Sequence, residues 1–295
     1  MVRILMTGAT GYLGSHLLER LAASPDRYDV TVIKRSFSCD ARIRQWLPHI
    51  RVFDMDKAEL ASVFDGRGYD LILHAATDYG RKASTLADIL QPNLLLPLRL
   101  LEAGISHGVR TFVNTDTMLD KRVSGYSLSK RQFREWLESL SHRVVAVNVS
   151  LEHFYGPGDD DSKFASFVVR SLLRNVESIA LTEGTQRRDF VYIDDVVDAF
   201  VRVIEAHAES APGYRHYEVG SGVPVPVRQF VETARAQCGN TATHLRFGAI
   251  PLRENEAMDV CVDISGLQAL GWTPRWTLET GLAHTIELEQ ESILV

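Results

Sequence analysis

The stretch VRILMTGATGYLGSHLLERLA, residues 2–22, decides the fold. It opens with the apolar run VRILMT (2–7), passes through glycines at 8, 11 and 14, and continues with leucines at helical spacing. An apolar run followed by a glycine loop and an amphipathic segment reads as a strand, a tight turn and a helix from about 12 to 23. Lacking a Cβ, Gly8 is suited to the tight turn, Gly11 lets a pyrophosphate approach the backbone, and Gly14 lets helix and strand pack closely. The helix N-terminus then faces the anion. This context points to a dinucleotide rather than to a glycine-rich turn without a ligand.

Outward from there the same rhythm repeats. Apolar runs at 29–34 (DVTVIK), 50–55 (IRVFDM), 69–76 (YDLILHAA), 110–115 (RTFVNT) and 143–150 (RVVAVNVS) predict strands. Helix-like segments fall between them near 40–47, 57–65, 84–107 and 126–141. Strands apolar on both faces and separated by helices predict an α/β fold, a doubly wound parallel Rossmann sheet covered on both sides. After about residue 150 the alternation stops at the turn-rich YGPGDDD (155–161), and a helix follows near 164–174. We place a dinucleotide-binding domain at 1–163 and a smaller C-terminal substrate domain, binding a nucleotide sugar, at 164–295, with some elements returning to the first.

Composition narrows the function. With 32 basic and 38 acidic residues the net charge is −6, which gives no electrostatic footprint for nucleic acid or an anionic membrane. The N-terminal apolar run is too short for a signal peptide or membrane span. Cys39, Cys238 and Cys261 have no metal-ligand spacing, so they read as reduced thiols in a cytoplasmic protein, and no metal site is expected. The run Asp159, Asp160, Asp161 reads as a solvated loop.

The end of the second strand selects the cofactor. A carboxylate there accepts from the adenosine ribose of NAD, but this chain has Lys34, Arg35 and Ser36 and no acid until Asp40. An arginine pairs bidentately with a 2′-phosphate, so the expectation is NADP(H) before NAD(H). Asp54 and Met55, after the third strand, stand where an adenine ring is edged. Farther on, Tyr126 and Lys130 lie one helical turn apart on one face.

Taken together, these motifs resemble the extended short-chain dehydrogenase/reductases of the nucleotide-sugar epimerase, dehydratase and reductase type. TGATGYLG (7–14) is similar to that family's cofactor loop, HAAT (74–77) to its fourth-strand motif and YSLSK (126–130) to its catalytic YxxxK. YGPGD (155–159), RRDFVYIDD (187–195) and LGWTP (270–274) resemble its later signatures, in the same order. TDYGR, VNTDT and LEHFYGPGDDD look most like 4-ketohexose reductases acting on CDP-sugars, of the abequose and paratose synthase kind.

The resemblance implies roles. Tyr126 would give its proton to a sugar carbonyl while the nicotinamide gives hydride. Lys130 would favour the phenolate and bind the nicotinamide ribose. Thr117 falls at the position of the family's catalytic Ser/Thr, with Thr115 as the alternative. Around the cofactor the resemblance places Gly8, Gly11, Tyr12, Leu13, Gly14, Ala75, Ala76, Thr77 and Asn93, the last shaping the site from within a helix. For a nucleotide-diphosphate sugar it places Tyr79, Arg81, Arg188 and Arg253, and sets His153 near the diphosphate without a catalytic role. Related dehydratases carry Asp-Glu directly after the catalytic Thr. Here Met118 and Leu119 follow Thr117, and Asp116 and Thr117 follow Thr115, so the glutamate is missing in either reading. The implied activity is NADPH-dependent reduction of the C4 ketone of a CDP- or dTDP-linked 4-keto-6-deoxyhexose. An NAD-dependent 4-epimerase is the alternative, and a non-catalytic NADP sensor a third. Helices 84–107 and 126–141 imply a homodimer.

Overall fold

The computed structural model describes residues 1–81, 84–254 and 256–294. In chain order the first half gives β1 (Val2–Thr7), α1 (Tyr12–Ala22), β2 (Tyr28–Lys34), β3 (Arg51–Asp54), β4 (Leu71–His74), α2 (Leu86–Leu90), α3 (Leu96–Ser106), β5 (Thr111–Thr117), α4 (Gly125–Ser139) and β6 (Val145–Leu151). Then come β7 (His153–Tyr155), α5 (Phe164–Leu173), β8 (Ser178–Ala180), β9 (Arg187–Arg188), β10 (Phe190–Tyr192), α6 (Ile193–His207) and β11 (Gly213–Val219).

Seven of the strands form one sheet in the order β11-β6-β5-β4-β1-β2-β3. β1 pairs in parallel with both β2 and β4, so the strand order reverses beside it. At such a switch point the loops leaving the strands diverge and open a crevice at their carboxyl ends. The expected doubly wound sheet is therefore present. Its inner strands are buried on both faces: Ile4, Leu5 and Met6 of β1 are completely buried, as are Leu17, Leu18 and Leu21 along one stripe of α1. One core gathers Leu5, Ile72, Phe112 and Ala146 from the sheet with Leu100 of α3 and Phe133 and Leu137 of α4.

Three segments differ from the sequence reading. The helices expected near 40–47 and 57–65 are 3-10 turns, Ala41–His49 and Leu60–Phe64. The helix expected over 84–107 is interrupted by a π-helical turn at Gln91–Leu95 between α2 and α3. Pro92 in that turn has no N–H to donate, and a wider turn absorbs the missing bond. Thr85 and Asp88 cap the start of α2 reciprocally.

Contacts divide the chain into two units. One comprises Met1–Leu151, Val197–Tyr217 and Ala269–Gly271; the other Glu152–Val196, Glu218–Gln268 and Trp272–Val295. The first change of unit falls ahead of the 163/164 division expected from the sequence. The second unit contains three two-stranded pairings, β7 with β10, β8 with His244–Arg246, and β9 with Val225–Pro226. Its centre is aromatic, with Phe190 stacked on Phe230 at 4.2 Å and Tyr155 edge-on to both. The acidic run is not simply solvated: Asp159 is buried, and Arg170 holds its carbonyl at 2.9 Å together with the carboxylates of Asp161 and Glu289. Among the described residues no helix is long and apolar enough to cross a membrane.

Candidate active site

The glycine loop between β1 and α1 is built for close approach. Gly8 has φ +76°, and a Cβ there would lie 2.4 Å from the backbone of Ala75 and Ala76. A Cβ on Gly14 would lie 2.0 Å from the Gly8 oxygen. Gly11 differs: its backbone is ordinary, and a Cβ there would meet the Gly8 oxygen at 3.3 Å, a tight contact that a shift of a few tenths of an ångström relieves. Gly11 also opens α1, which has no acidic residue in its first turn. An uncapped, acid-free helix N-terminus behind a glycine cradle is complementary to a pyrophosphate. Tyr12 and Leu13 are buried directly behind it, and the Ala76 N–H is tied to Thr7 Oγ1 at 3.3 Å. The cradle fits a dinucleotide.

At the outer end the structure adds a residue the sequence reading missed. Ser36 is clamped by Asp56, its N–H and its hydroxyl each donating to a carboxylate oxygen at 2.6 Å. Those bonds hold the Asp56 carboxyl below the usual carboxylate range. Lys34 pairs with Asp54 at 3.3 Å, and Arg35 stacks its guanidinium over Phe37 at 4.9 Å. The expectation of no acid before Asp40 therefore fails in space: Asp56, two residues past β3, folds back onto β2. Met55 follows Asp54, its N–H bonded to Lys34 O at 2.9 Å.

The reacting centre lies where β5 ends beside α4. Ser124 caps α4 through its bond with Ser127, which fixes the first turn carrying Tyr126. Tyr126, Lys130 and Arg134 then follow at successive helical turns. The Thr117 side chain lies beside the Tyr126 phenol and its hydroxyl accepts from the Leu119 N–H at 3.2 Å, while the ring of Tyr79 lies 4.9 Å from that of Tyr126. Burial is the main cause that pushes the Tyr126 phenol well above its ordinary value; Thr117 opposes it. Lys130 is buried and donates to the Thr115 carbonyl at 2.7 Å, and burial pushes its ammonium down to about 8. Desolvation thus acts on Tyr126 against the effect expected of Lys130 and leaves the phenol protonated.

Of the two candidate hydroxyls, that of Thr117 belongs to the side chain beside Tyr126. The Thr115 hydroxyl is buried without a hydrogen-bond partner among the described residues. Asn93 is fully buried and joins the loop after β4 to α4, accepting from Thr77 Oγ1 at 2.9 Å and Asp78 N at 3.0 Å. It donates to Ser129 Oγ at 3.1 Å. His74, at the end of β4, shares a 2.8 Å hydrogen bond with Thr7 and is kept neutral by burial and by Lys130.

Arg81 is exposed, its guanidinium 5.4 Å from the Tyr79 ring. The remaining candidates belong to the second unit. Arg188 is buried and engaged with the Glu256 carboxylate and the carbonyls of Arg187 at 2.6 Å and Ala257 at 2.8 Å. Arg253 is exposed. His153 bonds through Nδ1 to the Glu152 carboxylate.

Residues 4–220 match the family described as the NAD dependent epimerase/dehydratase family. The chain is 31% identical to the CDP-abequose synthase of Salmonella typhimurium, over 96% of this chain and 97% of that protein. Among solved structures it is similar to the UDP-glucose 4-epimerase of Thermotoga maritima with UDP-glucose, with a TM-score of 0.85 and 22% identity over 99% of this chain and 100% of that one. It is similar also to MoeE5 in complex with UDP-glucose and NAD, at TM-score 0.81 and 24% identity over 99% of both chains.

Proposed function

The chain belongs to the NAD dependent epimerase/dehydratase family, and from that membership we propose that it reduces the C4 ketone of a nucleotide-diphosphate 4-keto-6-deoxyhexose, CDP- or dTDP-linked, with NADPH. When bound, the nicotinamide supplies the hydride. Tyr126, whose phenol desolvation keeps protonated, would give its proton to the carbonyl oxygen, and Thr117 would donate a hydrogen bond to the phenolate oxygen left behind. Lys130, an ammonium below about pH 8, provides the nearby positive charge and a donor for the ribose hydroxyls. Tyr79 and Arg81 would bind the sugar, and Arg188 and Arg253 the diphosphate. For Arg188 this requires the substrate to displace Glu256 from its guanidinium.

The observation that carries the reading is the state of Asp116. Elimination of water needs a carboxyl group free to exchange a proton with the sugar. Both Asp116 oxygens are instead occupied as acceptors, one by Thr117 N at 2.7 Å and the other by Arg134 and by Asn148 Nδ2 at 2.9 Å. Proton donation is left to Tyr126, which is what a ketone reduction requires. The similarity to CDP-abequose synthase supports the same class.

One observation favours the 4-epimerase alternative: the Asp56 carboxylate against Ser36 is suited to ribose hydroxyls of NAD. The Tyr126–Lys130 pair argues against a sensor. As an enzyme the chain would work in the cytoplasm, as a homodimer: Leu86 of α2 and Leu128 and Trp136 of α4 are exposed apolar side chains on the helices that would pair.

The test follows nicotinamide absorbance with NADPH or NADH and enzymatically made CDP- or dTDP-4-keto-6-deoxyglucose. Oxidation that disappears in Tyr126→Phe supports the reductase. Tightly held NAD+ with no net oxidation would replace it by the epimerase.

A further inference from the structure

Beneath the reacting centre lies a buried polar network that no catalytic step above uses. Asn114, Asp116, Asn148 and Ser150 lie at most 2 % exposed on adjacent strands, with Asn114 opposite Asn148 and Asp116 opposite Ser150 in the β5–β6 register. Asn114 Nδ2 donates to Asn148 Oδ1 at 2.7 Å, and Asn148 donates to Asp116. Arg134 comes down from α4 onto this row. Its Nε pairs with Asp116, and its Nη2 donates to Ser150 Oγ at 3.0 Å and to the Thr117 carbonyl at 3.3 Å. The Thr117 N–H donates to Asp116 Oδ1 at 2.7 Å.

The two charges therefore hold the main chain of one residue from both sides, acid on the N–H and base on the C=O. That residue is Thr117, whose side chain lies beside Tyr126 and eases the loss of its proton. The geometry points to Arg134 and Asp116 as positioning residues that fix the Thr117 peptide and so hold its hydroxyl toward the Tyr126 phenol. Burying two charges is costly in itself, and a buried pair is often no more stable than an apolar replacement. What it supplies at this place is directional: guanidinium and carboxylate accept few geometries, and a peptide gripped by both keeps the Cα–Cβ bond of Thr117 aimed in one direction. α4 thus presents three residues in successive turns to β5, with Tyr126 beside the Thr117 side chain, Lys130 at the Thr115 carbonyl and Arg134 at the Thr117 peptide.

The inference rests on the proposed reduction for its kinetic consequence but not for its structural one, and the experiment keeps the two apart. Protein labelled with 3-fluorotyrosine is followed by fluorine NMR, the Tyr126 signal being assigned by its loss in Tyr126→Phe. Thr117→Val gives the shift that marks loss of the hydroxyl contact. Asp116→Asn and Arg134→Met are expected to move the signal in that direction, with Arg134→Lys restoring it in part. With keto-sugar substrate, kcat should fall about tenfold to a hundredfold while KM stays within about twofold. Should Arg134→Met fail to fold, Asp116→Asn and Arg134→Lys decide, with melting curves as the check. A Tyr126 signal unchanged in folded Arg134 and Asp116 variants, while Thr117→Val moves it, overturns the inference. Wild-type protein that reduces no keto-sugar overturns the reductase reading instead, and the NMR result still decides the positioning.

Discussion

Lys130 donates its buried ammonium to the carbonyl oxygen of Thr115 at 2.7 Å. Burial holds that ammonium at about 8, against 10.5 for a solvated lysine, which corresponds to roughly 3 kcal/mol of destabilisation at neutral pH. The native lysine releases its proton more easily than the unfolded one. The penalty is therefore complete below about pH 8 and fades as pH rises toward 10.5. Lys130→Met should raise the melting temperature at pH 7 by several degrees and abolish turnover. In the wild type, kcat/KM should fall as pH rises through about 8, where the ammonium is lost. A flat profile from pH 7 to 9 would remove the ammonium from the mechanism.

Thr115 and Thr117 of β5 separate by opposite signs. Thr117→Val removes the hydroxyl beside Tyr126 and should lower kcat by roughly tenfold to a hundredfold. Thr115→Val replaces a buried hydroxyl that has no partner among the described residues with a methyl of the same shape. That change should leave stability unchanged or raise it by up to about 1 kcal/mol. Paired measurements of kcat and melting temperature check this, and the reverse pattern would transfer the catalytic hydroxyl to Thr115.

The three loop glycines also divide. Gly14→Ala would set a Cβ 2.0 Å from the Gly8 oxygen, and Gly8→Ala would combine φ +76° with a 2.4 Å approach to Ala75. Both should lower the melting temperature and abolish dinucleotide binding. Gly11→Ala would meet the Gly8 oxygen at 3.3 Å, a contact relieved by a small shift, so its melting temperature should fall far less than that of the other two. Its binding should still fall, because the new methyl faces the pyrophosphate. Thermal melts with NADPH fluorescence titration distinguish the cases; an unfolded Gly11→Ala protein would assign that glycine to the turn instead.

The elements above follow from patterns with a physical period. β1, β2 and β6 are runs rich in apolar residues and largely buried, and α1 shows its leucine stripe, so the sheet and this helix were legible in the sequence, whereas β5 is buried despite its polar TFVNTDT. The interruption at Gln91–Leu95 was marked by Pro92, but a proline alone does not distinguish a kink from a π turn. Polar partnerships between segments distant in sequence were not legible. The bond between Asp56 and Ser36 spans 20 positions, and that of Asn148 with Asp116 spans 32. Nothing local to either residue announces such a partner. Arg134 did leave a signal, since it stands eight residues after Tyr126 on the stripe that carries Lys130. Its value became visible only once β5 was seen to end beneath it.

Cofactor choice turns on Arg35 and Asp56, which act in opposite directions on a 2′-phosphate. Arg35 is exposed and stacked on Phe37, a side chain able to swing onto a phosphate without leaving another charge unpaired. Lys34 is less available, being tied to Asp54 at 3.3 Å. Asp56 occupies both the N–H and the hydroxyl of Ser36, two donors a phosphate would otherwise use, and adds a negative charge beside them. Arg35→Ala should therefore weaken NADPH binding by roughly tenfold and leave NADH nearly unchanged. Asp56→Asn should strengthen NADPH binding by only about twofold to fivefold, since the carboxylate is exposed, and the gain should shrink as salt rises. Fluorescence titration of both cofactors at two ionic strengths measures all of this without turnover. Equal loss of NADPH and NADH affinity in Arg35→Ala would place that guanidinium on the adenine or ribose rather than on the phosphate, and the preference for NADPH would lose its physical basis.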